Sequence, residues 1–249
     1  MSVVNRRPRE PYERARTLVG TAAPEVTRDG IAGVLDRVCT AATGEVQLFG
    51  AAVHLMSAAG HEGVAAGSGR QALEWGEVAF TAGEGPCLDA WRTRGPVLVP
   101  DLAVQQERWP GYSSTLLGRG VGCVLAFPLS IGTVDLGVLE GYDGPRGALD
   151  TGTTGMMTAF ARVATEALLE GPVTDGVAKN GTGASQLSAA LEHRIEIHQA
   201  QGMVMVSLGV TLPEALVRMR AHAFAVDVPL LVLAQEVVTR KTDPREWTI

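Results

Sequence analysis

Gly122-Cys-Val-Leu-Ala-Phe-Pro-Leu-Ser130 and Val134-Asp-Leu-Gly-Val-Leu-Glu-Gly-Tyr142 are two apolar, β-prone runs joined through Ile131-Gly-Thr133. Two such runs around a short glycine-bearing connection predict a β-hairpin. Asp143-Gly-Pro-Arg-Gly147 ends the second run. Upstream, Val46 to Met56 and Gly63 to Gly67 read as strands joined by a Ser57-Ala-Ala-Gly-His-Glu62 turn, with Arg70 to Trp75 extended or turning. Helical spacing flanks these strands. From Pro24 to Ala42 the apolar positions are Ile31, Val34, Leu35 and Val38, with Thr43-Gly44 closing the element; after Asp150, Met156, Phe160, Val163, Ala164, Ala167 and Leu168 give a helix to about Glu170. The stretch from Glu77 to Gly120, rich in glycine, proline and aromatics, reads as short helices and loops with an extended piece at Pro96 to Pro100. Helix, strands, irregular excursion, hairpin and helix make an α+β order.

Beyond Ser185 the periodicity is helical. Leu187, Leu191, Ile195, Gly202 and Met205 fall at three- and four-residue steps, so one stripe runs through a long amphipathic helix. Gly209 supplies a left-handed helix end, with Val210 placed to touch Met205. Thr211 and Glu214 have capping-box spacing and Pro213 sits in the first turn of a second helix. A third starts at Asp227-Val-Pro229 and carries Leu233, Ala234, Val237 and Val238 on one side. These make a three-helix bundle. Gly202 is its odd residue, because glycine inside a helix costs about 1 kcal/mol relative to alanine. Something should approach its backbone closely, either a neighbouring helix or an RNA backbone.

At 249 residues and 46% hydrophobic content the chain accommodates two modest domains, each with a core. The expected division is a basic, disordered arm at 1–23, an α+β domain at 24–170, a linker at 171–186 and the bundle at 187–249. The arm holds Arg6, Arg7, Arg9, Arg14 and Arg16 with Pro8 and Pro11, and the linker is glycine-rich with few apolar residues. A net charge of -6 excludes a general nucleic-acid coat protein, so any RNA contact must be local. Without an apolar signal core or membrane-length run, the expected location is the cytoplasm, with no membrane partner. Cys39, Cys87 and Cys123 form no C-x-x-C pair, which fits reduced thiols and argues against zinc-ligand spacing.

Two resemblances follow from the motifs. Gly83-Glu-Gly-Pro-Cys87, Val97-Leu-Val-Pro-Asp-Leu102, Phe127-Pro-Leu129 and Gly137-Val-Leu139 resemble the GAF domain over about Asp29 to Glu170. That resemblance implies an antiparallel sheet backed by helices, with a pocket between sheet and excursion for a small ligand or chromophore. No residue set fixes cyclic nucleotide, haem or bilin, so the ligand and any cofactor stay unnamed. Ala200-Gln-Gly202, Met205, Leu208-Gly209, Glu214-Ala215, Met219-Arg220, Ala223 and Ala234 resemble the ANTAR domain over roughly Leu187 to Lys241. It implies RNA as partner: a homodimer binds paired hairpins in nascent transcripts and blocks terminator formation. Two departures from the family pattern remove positive charge, Gln201 in place of a lysine and Ala225-Val-Asp-Val228 in place of a basic loop.

The candidate RNA surface is His193, Arg194, His198, Gln201, Gly202, Arg218, Arg220, His222, Arg240 and Lys241. Acidic neighbours leave the module near neutral, although RNA affinity rests largely on phosphate neutralisation and on contacts to unpaired bases. A bundle that only dimerises is therefore the rival class. The candidate ligand pocket is Trp75, Phe80, Cys87, Trp91, Trp109, Tyr112 and Phe127; the alternative is that these aromatics form the excursion's own small core. Cys87 has two readings, a thiol activated at a helix N-terminus or a small hydrophobe. Some GAF-fold proteins reduce free methionine sulfoxide with cysteines, but no catalytic and resolving pair stands out. The histidines give no Ser-His-Asp or Cys-His set either, so the chain is expected to be a regulator and not an enzyme.

Overall fold

The computed structural model describes residues 10–25, 27–57, 60–145, 149–170, 195–226 and 228–247. The hairpin forms as the sequence predicts, with β4 (Cys123–Ile131) and β5 (Val134–Asp143) joined through Gly132 and Thr133. Gly132 takes a φ of 58, the left-handed conformation a two-residue hairpin turn requires. β1 (Gly50–Ser57) and β2 (Gly60–Gly67) pair antiparallel, and short β3 (Val97–Val99) adds to β4. The result is a five-stranded antiparallel sheet in the order β2-β1-β5-β4-β3.

Strand parity divides the core into two layers. Val53, Leu55, Cys123, Leu125, Phe127, Leu129 and Leu139 point to one face. There they meet α2 (Gly30–Val46) and α6 (Thr151–Glu170), through Leu35, Val38, Phe160 and Ala164. Ala52, Met56, Val124, Ala126, Val138 and Tyr142 point to the other face. That face is covered by α3 (Arg70–Ala82), α4 (Pro86–Thr93) and α5 (Pro110–Gly118). Arg28 donates to Asp36 on α2 at 2.6 and 2.5 Å and to the Ala65 carbonyl at 3.0 Å, while Asp36 also accepts from Gly67 N–H at 3.2 Å. This half-buried pair ties α2 to β2.

Three expectations are corrected here. Part of the supposed disordered arm is a helix, α1 (Glu10–Thr21), whose Ala15 and Val19 are buried in the α2–α6 layer. Tyr12 donates to Glu166 on α6, and Arg162 lies over its ring at 4.3 Å. An apolar stripe of Tyr12, Ala15 and Val19 outweighs the basic, proline-broken composition. Arg70 to Trp75 is likewise helical, because Ala72, Trp75 and Ala79 form a buried stripe over the sheet. α2 runs past Thr43-Gly44 and ends at Gln47, in the left-handed conformation at φ 58.

The C-terminal bundle comprises α7 (Ile195–Leu208), α8 (Leu212–Ala225) and α9 (Leu230–Val238). Gly209 has a φ of 65 and Val210 N–H donates to Met205 O at 3.2 Å, which ends α7 as its sequence indicates. Thr211 then accepts from Glu214 N–H and caps α8. Ile197, Ala200, Val204, Met219, Leu233 and Val237 form its core. The expected linker, together with Leu187, Leu191 and Asp227, lies outside the described residues. No single helix among the described residues is long and apolar enough to cross a membrane.

Candidate functional site

Between the sheet and α3–α5 lies a polar cluster inside an apolar layer. Glu140 on β5 is fully buried, as is His54 on β1. Pairing of Ala52 with Glu140 and of His54 with Val138 puts both side chains on the excursion face. Glu140 Oε2 lies 3.0 Å from His54 Nε2 and accepts from the Tyr142 hydroxyl at 2.7 Å. Glu140 Oε1 accepts from the Tyr112 hydroxyl at 3.2 Å, and Tyr142 Oη lies 3.2 Å from His54 Nε2. A buried carboxylate demands such company, since an ion removed from water without partners is very costly. Cys87 completes the group: donor atoms of His54, Cys87 and Glu140 all lie within 4.8 Å of one another.

The Gly-Glu-Gly-Pro-Cys motif builds this cluster residue by residue. Glu84 Oε1 accepts from Gly111 and Tyr112 N–H at 2.7 and 3.1 Å, which caps α5 and fixes Tyr112. Gly85 has a φ of 135, and a Cβ there would come within 2.8 Å of the Tyr112 ring. Pro86 opens α4 and delivers Cys87 over β4 and β5. Gly76 plays a similar part on α3, where an added Cβ would meet Val64 at 2.7 Å and His54 at 3.4 Å.

Burial pushes the Cys87 thiol well above its usual range, and the Glu140 carboxylate adds to the rise. The thiol is therefore protonated, contrary to the activated reading; desolvation outweighs the helix N-terminus. Burial, reinforced by Glu140, also raises Tyr112 and Tyr142 well above 10.0. Cys39 and Cys123 pack on the opposite face of the sheet, so Cys87 has its face to itself among the three thiols.

Of the residues expected to line a ligand pocket, Trp75, Cys87, Trp109 and Tyr112 are buried in this layer and Trp91 packs against it. Trp75 and Tyr142 are 5.6 Å apart and Trp109 and Tyr112 6.4 Å apart, so the rings fill the space themselves. Phe127 is corrected to the opposite face, against α2 and α6, because it has the parity of Leu125 and Leu129. Phe80 is corrected to the C-terminal bundle, where it joins the Met219 and Ala223 cluster. Grooves of about 500 Å³ between α1 and α6 and about 430 Å³ beside the start of α3 lie away from the polar cluster. Sequence reasoning missed His54, Glu140 and Tyr142. The available signal was Glu140, a carboxylate set between Val138-Leu139 and Gly141-Tyr142 in the apolar stretch of a central strand.

The expected RNA residues divide. His193 and Arg194 lie outside the described residues. Gln201 is buried and donates to Leu212 O at 2.7 Å, so it latches α7 to α8 instead of facing solvent. His222 stacks on Trp247 at 4.6 Å, and desolvation lowers its pKa below 6.5. His198, Arg240 and Lys241 are exposed, and Arg218 pairs with Glu214 at 2.8 Å. Among the described residues no neighbouring helix crowds Gly202, since a Cβ there would meet nothing within 4 Å. Arg220 reaches the sensor domain: its guanidinium lies 5.1 Å from the centre of the Phe80 ring, and a Cβ on Gly83 would come within 3.0 Å of it.

Two family models agree with this architecture. A family model described as GAF domain matches residues 29–168, and one described as ANTAR domain matches 185–238. No curated protein matches the chain. Among solved structures, the GAF domain of an Acinetobacter phosphoenolpyruvate-protein phosphotransferase is 11% identical, with 68% of this chain and 98% of that chain covered and a TM-score of 0.49. The corresponding GAF domain from Coxiella burnetii is 9% identical, with 68% and 97% covered and a TM-score of 0.48. A free methionine-R-sulfoxide reductase from Neisseria meningitidis, solved with its substrate, is 15% identical, with 67% and 91% covered and a TM-score of 0.47. With its GAF match spanning more than half of the sequence, the chain belongs to the GAF-domain family and carries an ANTAR domain behind the sensor fold.

Proposed function

We propose that this chain is a signal-responsive transcription antitermination regulator, in which the ANTAR bundle binds paired hairpins of nascent RNA under control of the GAF domain. The observation that carries the control is the Arg220 contact. A cation of the output bundle lies against Phe80 and next to Gly83, four residues before the Glu-Gly-Pro-Cys turn reaches the buried cluster at Cys87. In this arrangement Arg220 neutralises no phosphate, and a change at Cys87 shifts the turn that holds it. The open Gly202, with exposed His198 one turn before it and exposed Arg240 and Lys241 after α9, supplies a surface that an RNA backbone can approach.

The bundle acts as a homodimer in this reading, since linked modules on paired hairpins gain affinity through effective concentration. Val217 and Phe224, seven apart on α8, are 60% and 84% exposed and would seat a second copy. Pairing without RNA binding is the second reading, and the same apolar face supports it. Fluorescence anisotropy of a labelled double-hairpin RNA separates the two. Arg240→Ala with Lys241→Ala, the exposed pair after α9, should weaken binding and lower its salt dependence by up to two phosphate contacts. Unchanged affinity across a salt series would reject this surface.

A further inference from the structure

The polar cluster has the composition of a metal site, and its donors come from three separate elements. We propose that His54 Nε2, Cys87 Sγ and a Glu140 carboxylate oxygen bind one borderline divalent transition ion of the zinc type. The proposal deepens the sensor reading by naming the class of ligand, but its test reads no RNA, so the two can fail separately. Spacing along the chain hid the site, because pairing of β1 with β5 and the turn into α4 are what assemble it.

Geometry, charge and donor chemistry point the same way. Tetrahedral zinc with bonds of about 2.0 to 2.3 Å sets its ligand atoms roughly 3.3 to 3.8 Å apart. Here all three atoms lie within 4.8 Å, with His54 and Glu140 at 3.0 Å, so shifts of about an ångström or less convert the cluster into a coordination sphere. One thiolate and one carboxylate neutralise a divalent cation, and imidazole adds no charge. The buried complex is then neutral, as a site without solvent requires. Thiolate with imidazole and carboxylate favours zinc-like ions over hard oxygen-seeking ones.

Glu140 is already arranged for this role. Oε2 faces both His54 and Tyr142, whereas Oε1 is held separately by Tyr112. With Oε2 on the metal, Tyr112 remains as the outer hydrogen-bond partner that orients the carboxylate. The Tyr142 hydroxyl or a small exogenous ligand would take the fourth position. Binding displaces the Cys87 proton to solvent, forms the S–metal bond and changes no oxidation state.

The test uses cobalt(II) and zinc(II) with the full chain. Chelator-treated, reduced protein is titrated with cobalt under anaerobic conditions, both native and during refolding. The expected result is one equivalent bound, with a thiolate-to-cobalt charge-transfer band and tetrahedral d–d bands that zinc abolishes. Cys87→Ser should remove the charge-transfer band, while Cys39→Ser and Cys123→Ser keep it. Tyr112→Phe should preserve the spectrum and weaken binding about 10-fold or more. Circular dichroism confirms that each variant is folded; if Cys87→Ser is not, the cobalt spectrum of the other two thiol variants decides. Absence of a thiolate band from folded and refolded wild type, or its loss with Cys39 or Cys123, would overturn the site.

Discussion

Glu140→Ala offers a sharp test of the buried cluster. The substitution removes the acceptor of three groups, His54 Nε2 at 3.0 Å and the hydroxyls of Tyr142 at 2.7 Å and Tyr112 at 3.2 Å. Each buried donor left unsatisfied costs about 1–3 kcal/mol. His54 and Tyr142 are 3.2 Å apart and can re-pair, so the three do not add in full. One to two orphaned donors plus the small cavity give an expected loss of about 3–5 kcal/mol. Glu140→Gln keeps the shape and one acceptor oxygen, and its expected cost is about 1–2 kcal/mol. Urea unfolding at neutral pH with chelator present, followed by far-ultraviolet circular dichroism, measures both variants. A Glu140→Ala loss within about 0.5 kcal/mol of zero, the range of ordinary surface substitutions, would refute a dry, fully paired cluster. So would equal losses for the two variants, because polar satisfaction would then not be what matters.

Two further predictions concern the same core. Cys87, Tyr112 and Tyr142 are held protonated above their usual values of 9.0, 10.0 and 10.0, so at high pH the unfolded chain releases protons that the folded chain keeps. Their stabilisation is complete below pH 9, declines as pH rises past 9.0 and then 10.0, and the decline should be shallower in Tyr142→Phe; thermal melts from pH 7 to 11 check it. Arg28→Ala strips the partner from buried Asp36, and because the arginine end is partly solvated the expected loss is about 2 kcal/mol. Arg28→Met with Asp36→Leu should recover part of that loss in the same urea assay, and no recovery would mean that the pair does more than neutralise itself.

Local periodicity made the hairpin, the flanking helices and the bundle caps legible in the sequence, because each is decided within a few residues. Gly132 and Gly209 take the left-handed conformations their turns need. α1 was not legible from composition, since five arginines and two prolines mask the Tyr12, Ala15 and Val19 stripe that docks on α6. The candidate site needed the register. Once Phe127 pairs with Leu139 and Ala126 with Glu140, parity sends the phenylalanine to one layer and the carboxylate to the other. No reading of either strand alone gives that assignment. Gln201 shows the converse error, a polar side chain assigned to solvent by type although its amide completes the α7–α8 turn.

The regulator reading rests on coupling between the two domains, and Phe80 is where they touch. The decisive experiment is gel retardation of a double-hairpin RNA by the full chain and by its Phe80→Ala variant at several salt concentrations. Releasing Arg220 should tighten binding and steepen the salt dependence by about one phosphate contact. Binding by neither protein at low salt would contradict RNA recognition, and equal binding by both would contradict control through this contact.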